Sequence, residues 1–139
     1  MKHGIVQQII DACNACILTC KACVKVARES LDMCSVESGS CATGIPTYID
    51  SSRKCIEACR KCIDECNEGI TQAHNDEERE FLFRCVKACG DCIRACERGI
   101  DNCTTMMECI QALKESIEQC NECISACDEC IEHMGIKGL

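Results

Sequence analysis

The chain of 139 residues is long enough for one domain, and its formal net charge of −8 argues against nucleic acid as a partner. It has no tryptophan and only Tyr48, Phe81 and Phe83 as aromatics, so a core built on large rings is excluded, and no apolar run is long enough to cross a membrane. Twenty residues are cysteine, so the hydrophobic fraction of 47% overstates the bulk available for packing.

The first predicted helix covers about 4–35. It carries Cys13, Cys16, Cys20 and Cys23, whose gaps of three and four residues trace one helical face. Beside them runs a column with a seven-residue period, Ile10, Ile17, Val24 and Leu31. The segment Ser35-Val36-Glu37-Ser38-Gly39-Ser40 ends this helix, and Ala42-Thr43-Gly44-Ile45-Pro46 leads into the next. The second helix, about 47–74, repeats the scheme with Cys55, Cys59, Cys62 and Cys66 beside Ile49, Ile56, Ile63 and Ile70. Asn75 and Glu78 have the spacing of a capping box and open a third helix over about 77–102, with Cys85, Cys89, Cys92 and Cys96 beside Val86, Ile93 and Ile100. Residues 55–70 and 85–100, CIEACRKCIDECNEGI and CVKACGDCIRACERGI, share every cysteine, Ala58/Ala88, Ile63/Ile93 and a closing Gly-Ile, which is an internal repeat. Thr105 and Glu108 open a fourth helix over about 106–134, with Cys120, Cys123, Cys127 and Cys130 beside Ile110, Ile117, Ile124 and Ile131.

These elements predict an all-α, single-domain, antiparallel four-helix bundle with a cysteine-lined core, its isoleucine columns sealing the seams between helices or subunits. Antiparallel stacking sorts the thiols into four layers: Cys13, Cys66, Cys85, Cys130; Cys16, Cys62, Cys89, Cys127; Cys20, Cys59, Cys92, Cys123; and Cys23, Cys55, Cys96, Cys120. At ~1.5 Å per residue the column is about 16 Å tall. Cys34, Cys41, Cys103 and Cys109 fall at one end together with Met33, Met106 and Met107, and this end is the expected metal entrance. Ile5, Phe81, Leu82, Phe83 and Met134 collect at the other as an apolar plug. His3, His74 and His133 are expected to be solvated rather than ligands. Ser30, Ser52, Ser116, Gly69 and Gly99 occupy stripe positions without a thiol, as small residues packing where the stripe ends.

Thiolates in such number select soft or borderline ions: Cu(I), Zn(II) or iron–sulfur clusters. A Zn(II) held by four thiolates leaves a charge of about −2 per site, costly to bury repeatedly. Cu(I) at one ion per thiolate is neutral, which suits inward positions without Lys or Arg. Cysteines three or four apart on one helix can also flank a single cuprous ion, and use of every thiol gives a capacity of up to about 20 ions. A secreted disulfide scaffold would be rich in loops, whereas these cysteines lie within helices and the start, Met1-Lys2-His3-Gly4-Ile5-Val6-Gln7-Gln8, carries no continuous apolar segment. A reducing cytoplasm is the expected location. No exposed, activated cysteine pair stands at a helix N-terminus, so no enzymatic activity is expected.

The four Cys-x-x-x-Cys/Cys-x-x-Cys blocks make the chain resemble the bacterial copper storage proteins, in their cytosolic form. The resemblance covers all four helices and implies cuprous thiolate clusters, a homotetramer, and exchange with copper donor or acceptor proteins. It carries the sixteen layered cysteines over as ligands, with Cys34, Cys103, Cys109 and Cys41 as further members. The pattern departs at the connection between the third and fourth helices, where Asp101-Asn102-Cys103-Thr104-Thr105-Met106-Met107 stands in place of a histidine-rich segment. Two other readings are a zinc or general heavy-metal buffer and an iron–sulfur electron carrier. The latter normally places its cysteines on loops.

Overall fold

The computed structural model describes residues 3–36, 41–102 and 106–137, and side chains over 3–33, 46–102 and 107–135. Four helices account for all of these residues but 73–75: α1 (His3–Val36), α2 (Cys41–Gln72), α3 (Asp76–Asn102) and α4 (Met106–Lys137). Each helix packs against its two neighbours in the ring α1–α2–α3–α4. The sulfur contacts give their directions. Cys13 meets Cys62 and Cys20 meets Cys55, so α1 and α2 run antiparallel. Cys62 with Cys85 and Cys55 with Cys92 do the same for α2 and α3, and Cys85 with Cys127 and Cys92 with Cys120 for α3 and α4.

The sequence places the starts of α3 and α4 well and misplaces that of α2, which begins at Cys41 rather than near residue 47. Pro46 therefore sits in the second turn of α2, where it forfeits a single backbone hydrogen bond instead of ending the helix. The Asn75 half of the predicted cap forms, with the Glu78 amide donating to Asn75 Oδ1 at 2.9 Å; Glu78 Oε2 accepts instead from the His74 amide at 3.0 Å, one residue before the amide a capping box uses. Asp76, Glu77 and Glu78 also place negative charge in the first turn, where the helix dipole favours it. Thr105, the expected cap of α4, lies outside the described residues.

The isoleucine columns flank the core as seams. Ile17, Val24 and Ile56 are buried, and Ile10, Ile63, Ile70, Val86, Ile93, Ile100, Ile117, Ile124 and Ile131 are partly buried against it. Outward positions such as Glu57, Arg60, Lys61 and Asp64 are exposed. Pairs such as Lys87–Asp91 and Arg84–Glu80 lie along single helices, at solvent exposures where an ion pair adds little stability. Among the described residues no helix is long and apolar enough to cross a membrane.

One end of the bundle is closed by Val6, Ile9, Leu82 and Met134, all buried. This plug differs from the expected one in two places. Phe83 points outward and is 55% exposed, because Leu82 occupies the inward position next to it. His133 is not solvated but buried, stacked on Phe81 with ring centroids 4.2 Å apart. It lies one residue from the inward Met134 on α4, close enough to the seam to be covered by the ring of α3.

Candidate metal centre

The sixteen cysteines of the four blocks are all 0% exposed and all free. They point inward because a spacing of three and four residues keeps them on one face over three turns, and the isoleucine beside each pair anchors that face at the seam. Across the α1–α3 diagonal, Cys13 lies 3.8 Å from Cys85, and Cys16 and Cys20 lie 3.9 Å from Cys89 and Cys92. Across the α2–α4 diagonal, Cys59 lies 4.0 Å from Cys123. The thiols therefore meet at the bundle axis.

Both diagonals pair as the antiparallel stacking predicts, but the flat layers do not form. Cys16 lies 3.5 Å from both Cys59 and Cys123, members of the next expected layer, and Cys20 lies 3.5 Å from Cys55. The two diagonals alternate along the axis, each inner pair crossing between two pairs of the other diagonal. Packing is the reason. Four sulfurs in one plane leave a gap at the axis, whereas crossed pairs let every sulfur touch neighbours above and below it. The expected set Cys13, Cys66, Cys85, Cys130 survives as one quartet, and Cys13 and Cys85 are shared with a second, containing Cys62 and Cys127. Further quartets are Cys16, Cys89, Cys123, Cys127; Cys16, Cys20, Cys59, Cys123; and Cys20, Cys55, Cys92, Cys120. Within each, all sulfurs lie within 4.8 Å of one another.

The donor set fits soft metal ions. Two sulfurs on opposite sides of an ion at a bond length of about 2.3 Å stand about 4.6 Å apart, and those of a tetrahedral site about 3.8 Å apart. Both lie within the quartet spacing. The thiols also share protons unevenly. Cys62 is lowered to about 6, chiefly by the Cys127 thiol and then by that of Cys13, which hydrogen-bond to its thiolate. Cys16 is likewise pulled below the ordinary thiol range, first by Cys123. Cys20 and Cys89 are pushed above it, first by Cys120 and Cys123 respectively, with burial acting in the same direction. A thiolate in this column is thus solvated by neighbours that keep their protons, and a metal ion replaces those protons. The arrangement is that of a metal-binding bundle.

No protein-family description, curated protein or solved structure matches this chain. The candidate site stands on its own geometry.

The expected entrance is only partly within view. Cys109 is 2% exposed, in a small cluster with Ala27, Tyr48 and Leu113 that is separate from the sixteen-thiol column. The side chains of Cys34 and Cys41, and all of Cys103, lie outside the described residues, as does the side chain of Met106. Met33 is 37% exposed, and Met107, 83% exposed, faces solvent.

Tyr48 gives no cysteine signal in the sequence, yet it is fully buried where the column ends. Its hydroxyl shares a 2.5 Å hydrogen bond with Ser116 Oγ, and Ser52 Oγ lies 3.9 Å from Cys23 Sγ. Burial pushes the phenol above its ordinary range, partly opposed by the Ser116 hydroxyl. The signal that finds this residue is the stripe itself: 48, 52, 55, 59, 62 and 66 continue one three-and-four spacing on α2.

Proposed function

We propose that this chain stores Cu(I), holding many cuprous ions in its thiol column. The observation that carries this reading is the continuous burial of sixteen thiols with no buried Lys or Arg among the described residues. Such a core tolerates cargo that leaves it neutral. One Cu(I) per thiolate does so, whereas successive tetrathiolate Zn(II) sites would each leave about −2 in a medium with no compensating cation. The resemblance of the cysteine blocks to bacterial copper storage proteins points the same way and suggests a homotetramer in the cytoplasm, loaded and unloaded by partner proteins. Buried thiols suit storage better than thiol–disulfide catalysis, which needs an accessible attacking sulfur, so the role is not enzymatic. The sixteen column cysteines are the assigned ligands. Cys109 marks the expected mouth, and Cys34, Cys41 and Cys103 are further proposed ligands that lie outside the described side chains.

A second reading, a zinc buffer, is favoured by the quartets themselves, whose sulfurs are close enough for tetrahedral sites. Anaerobic titration of the reduced apo-protein with Cu(I) against a competing chelator separates the two. Storage predicts uptake of roughly sixteen equivalents or more per chain, retained when zinc is added in excess. Saturation at a few equivalents, or displacement by zinc, contradicts it.

A further inference from the structure

We propose that Tyr48 is an internal barrier between the mouth and the thiol column, setting how fast ions pass without holding them. The proposal rests on the storage reading and adds to it a rate-determining residue that is not a ligand.

The order of residues along the four helices carries the argument. From the Cys109 end towards the column, α4 presents Cys109, Leu113, Ser116 and then Cys120. In the same direction α2 presents Tyr48, Ser52 and Cys55, α3 presents Gly99 and Cys96, and α1 presents Ala27 and Cys23. Sulfur is thus interrupted by a layer in which the buried polar groups are hydroxyls. Tyr48 spans it: its side chain packs with Cys109, Ala27 and Leu113, and its hydroxyl bonds to Ser116. A Cβ at position 99 would collide with that hydroxyl, so the phenol occupies the space that glycine leaves on α3. The ring therefore reaches from α2 over α3 to α4 and covers the end of the column.

The chemistry of the layer makes it a barrier and not a further storage site. Cuprous ions prefer soft sulfur, and neutral hydroxyl oxygens are poor substitutes. An ion moving from Cys109 to Cys23 or Cys96 must leave one sulfur group before it reaches the next, and the tyrosine ring must turn aside to let it pass. Breaking the Tyr48–Ser116 bond, which belongs to two groups with no solvent exposure, is part of that step.

The test compares the full-length wild type with Tyr48→Phe, which keeps the ring and removes the latch, and with Ser116→Ala, which removes the latch from the other side. Loading of chelated Cu(I) into reduced apo-protein is followed by stopped flow, and capacity by titration. Reaction of the apo-protein thiols with a small aromatic disulfide reagent is timed in parallel, so one arm needs no copper. Both variants are expected to load about fivefold faster at unchanged capacity, with the slow, column phase of thiol reaction accelerated to match. Wild type in graded urea supplies the comparison at equal stability. If the variants are no faster than wild type destabilised to the same extent, opening of the whole bundle sets the rate and the barrier is disproved. A loss of capacity in Tyr48→Phe would instead make the phenol a ligand and overturn the proposal. If wild type takes up only a few cuprous ions, the storage reading fails, and the thiol-reagent arm still decides the barrier.

Discussion

At the residue scale, the column depends on how each sulfur shares its proton. Cys62, at about 6 in the folded chain against an ordinary 9.0, is held as a thiolate by the Cys127 and Cys13 thiols. Between these two pH values the folded chain carries a charge at Cys62 where the unfolded chain carries a proton. The stability this group contributes is complete above pH 9 and is lost as pH falls towards 6. Neighbours raised above the ordinary value, such as Cys20, are protonated in both states across this window and add no slope. The urea midpoint of the reduced apo-protein is therefore expected to fall from pH 9 to pH 6. Cys16 and the other thiols pulled below the ordinary range add to the fall in the same direction, so Cys62→Ala is expected to lessen it rather than abolish it. An unchanged slope in the variant would show that Cys62 contributes nothing to it. Gly99 is the other residue whose identity matters locally. Gly99→Ala forces its new methyl group against the Tyr48 hydroxyl, and the expected loss of about 1–3 kcal/mol is measurable by urea denaturation.

At the scale of elements, helix ends and seams do separate work. The α3 start is held by Asn75 and Glu78, each accepting from a backbone amide of the turn. Asn75→Ala is expected to destabilise the protein by about 1 kcal/mol, read from the denaturation midpoint, with no change in metal capacity because no thiol moves. Capacity that falls in step with stability would mean that the α3 cap also positions the column. The seams explain why helices with few large side chains still pack. Each isoleucine column covers apolar surface at an edge, leaving the centre to sulfur, a small and polarisable atom that fills space at contacts near 3.6 Å. Seven-residue spacing keeps both stripes on the same face along the whole helix.

At the scale of the molecule, the closest sulfur contacts among the described residues run between helices, as in Cys16–Cys59, Cys16–Cys123 and Cys20–Cys55. Metal bound between such sulfurs ties α1 to α2 and α4, so loading must stabilise the fold as a whole. A single site at a free-metal concentration a thousand times its Kd adds about 4 kcal/mol. Calorimetry is expected to show the melting temperature climbing with each increment of Cu(I), and a loaded protein melting at the apo temperature would place the metal on one helix at a time. The sequence by itself determined four helices, their inward faces and the sixteen buried cysteines, because three-and-four spacing is a property of a single helix and needs no partner to be read. It also gave the diagonal pairs, since antiparallel neighbours reverse the order of each block. Only tertiary packing decided that the diagonals interleave rather than form layers, because the offset arises from sulfurs of four helices competing for one axis. The same holds for His133 under Phe81 and for Tyr48 over Gly99: each depends on a neighbour across the bundle, which no spacing along one helix records.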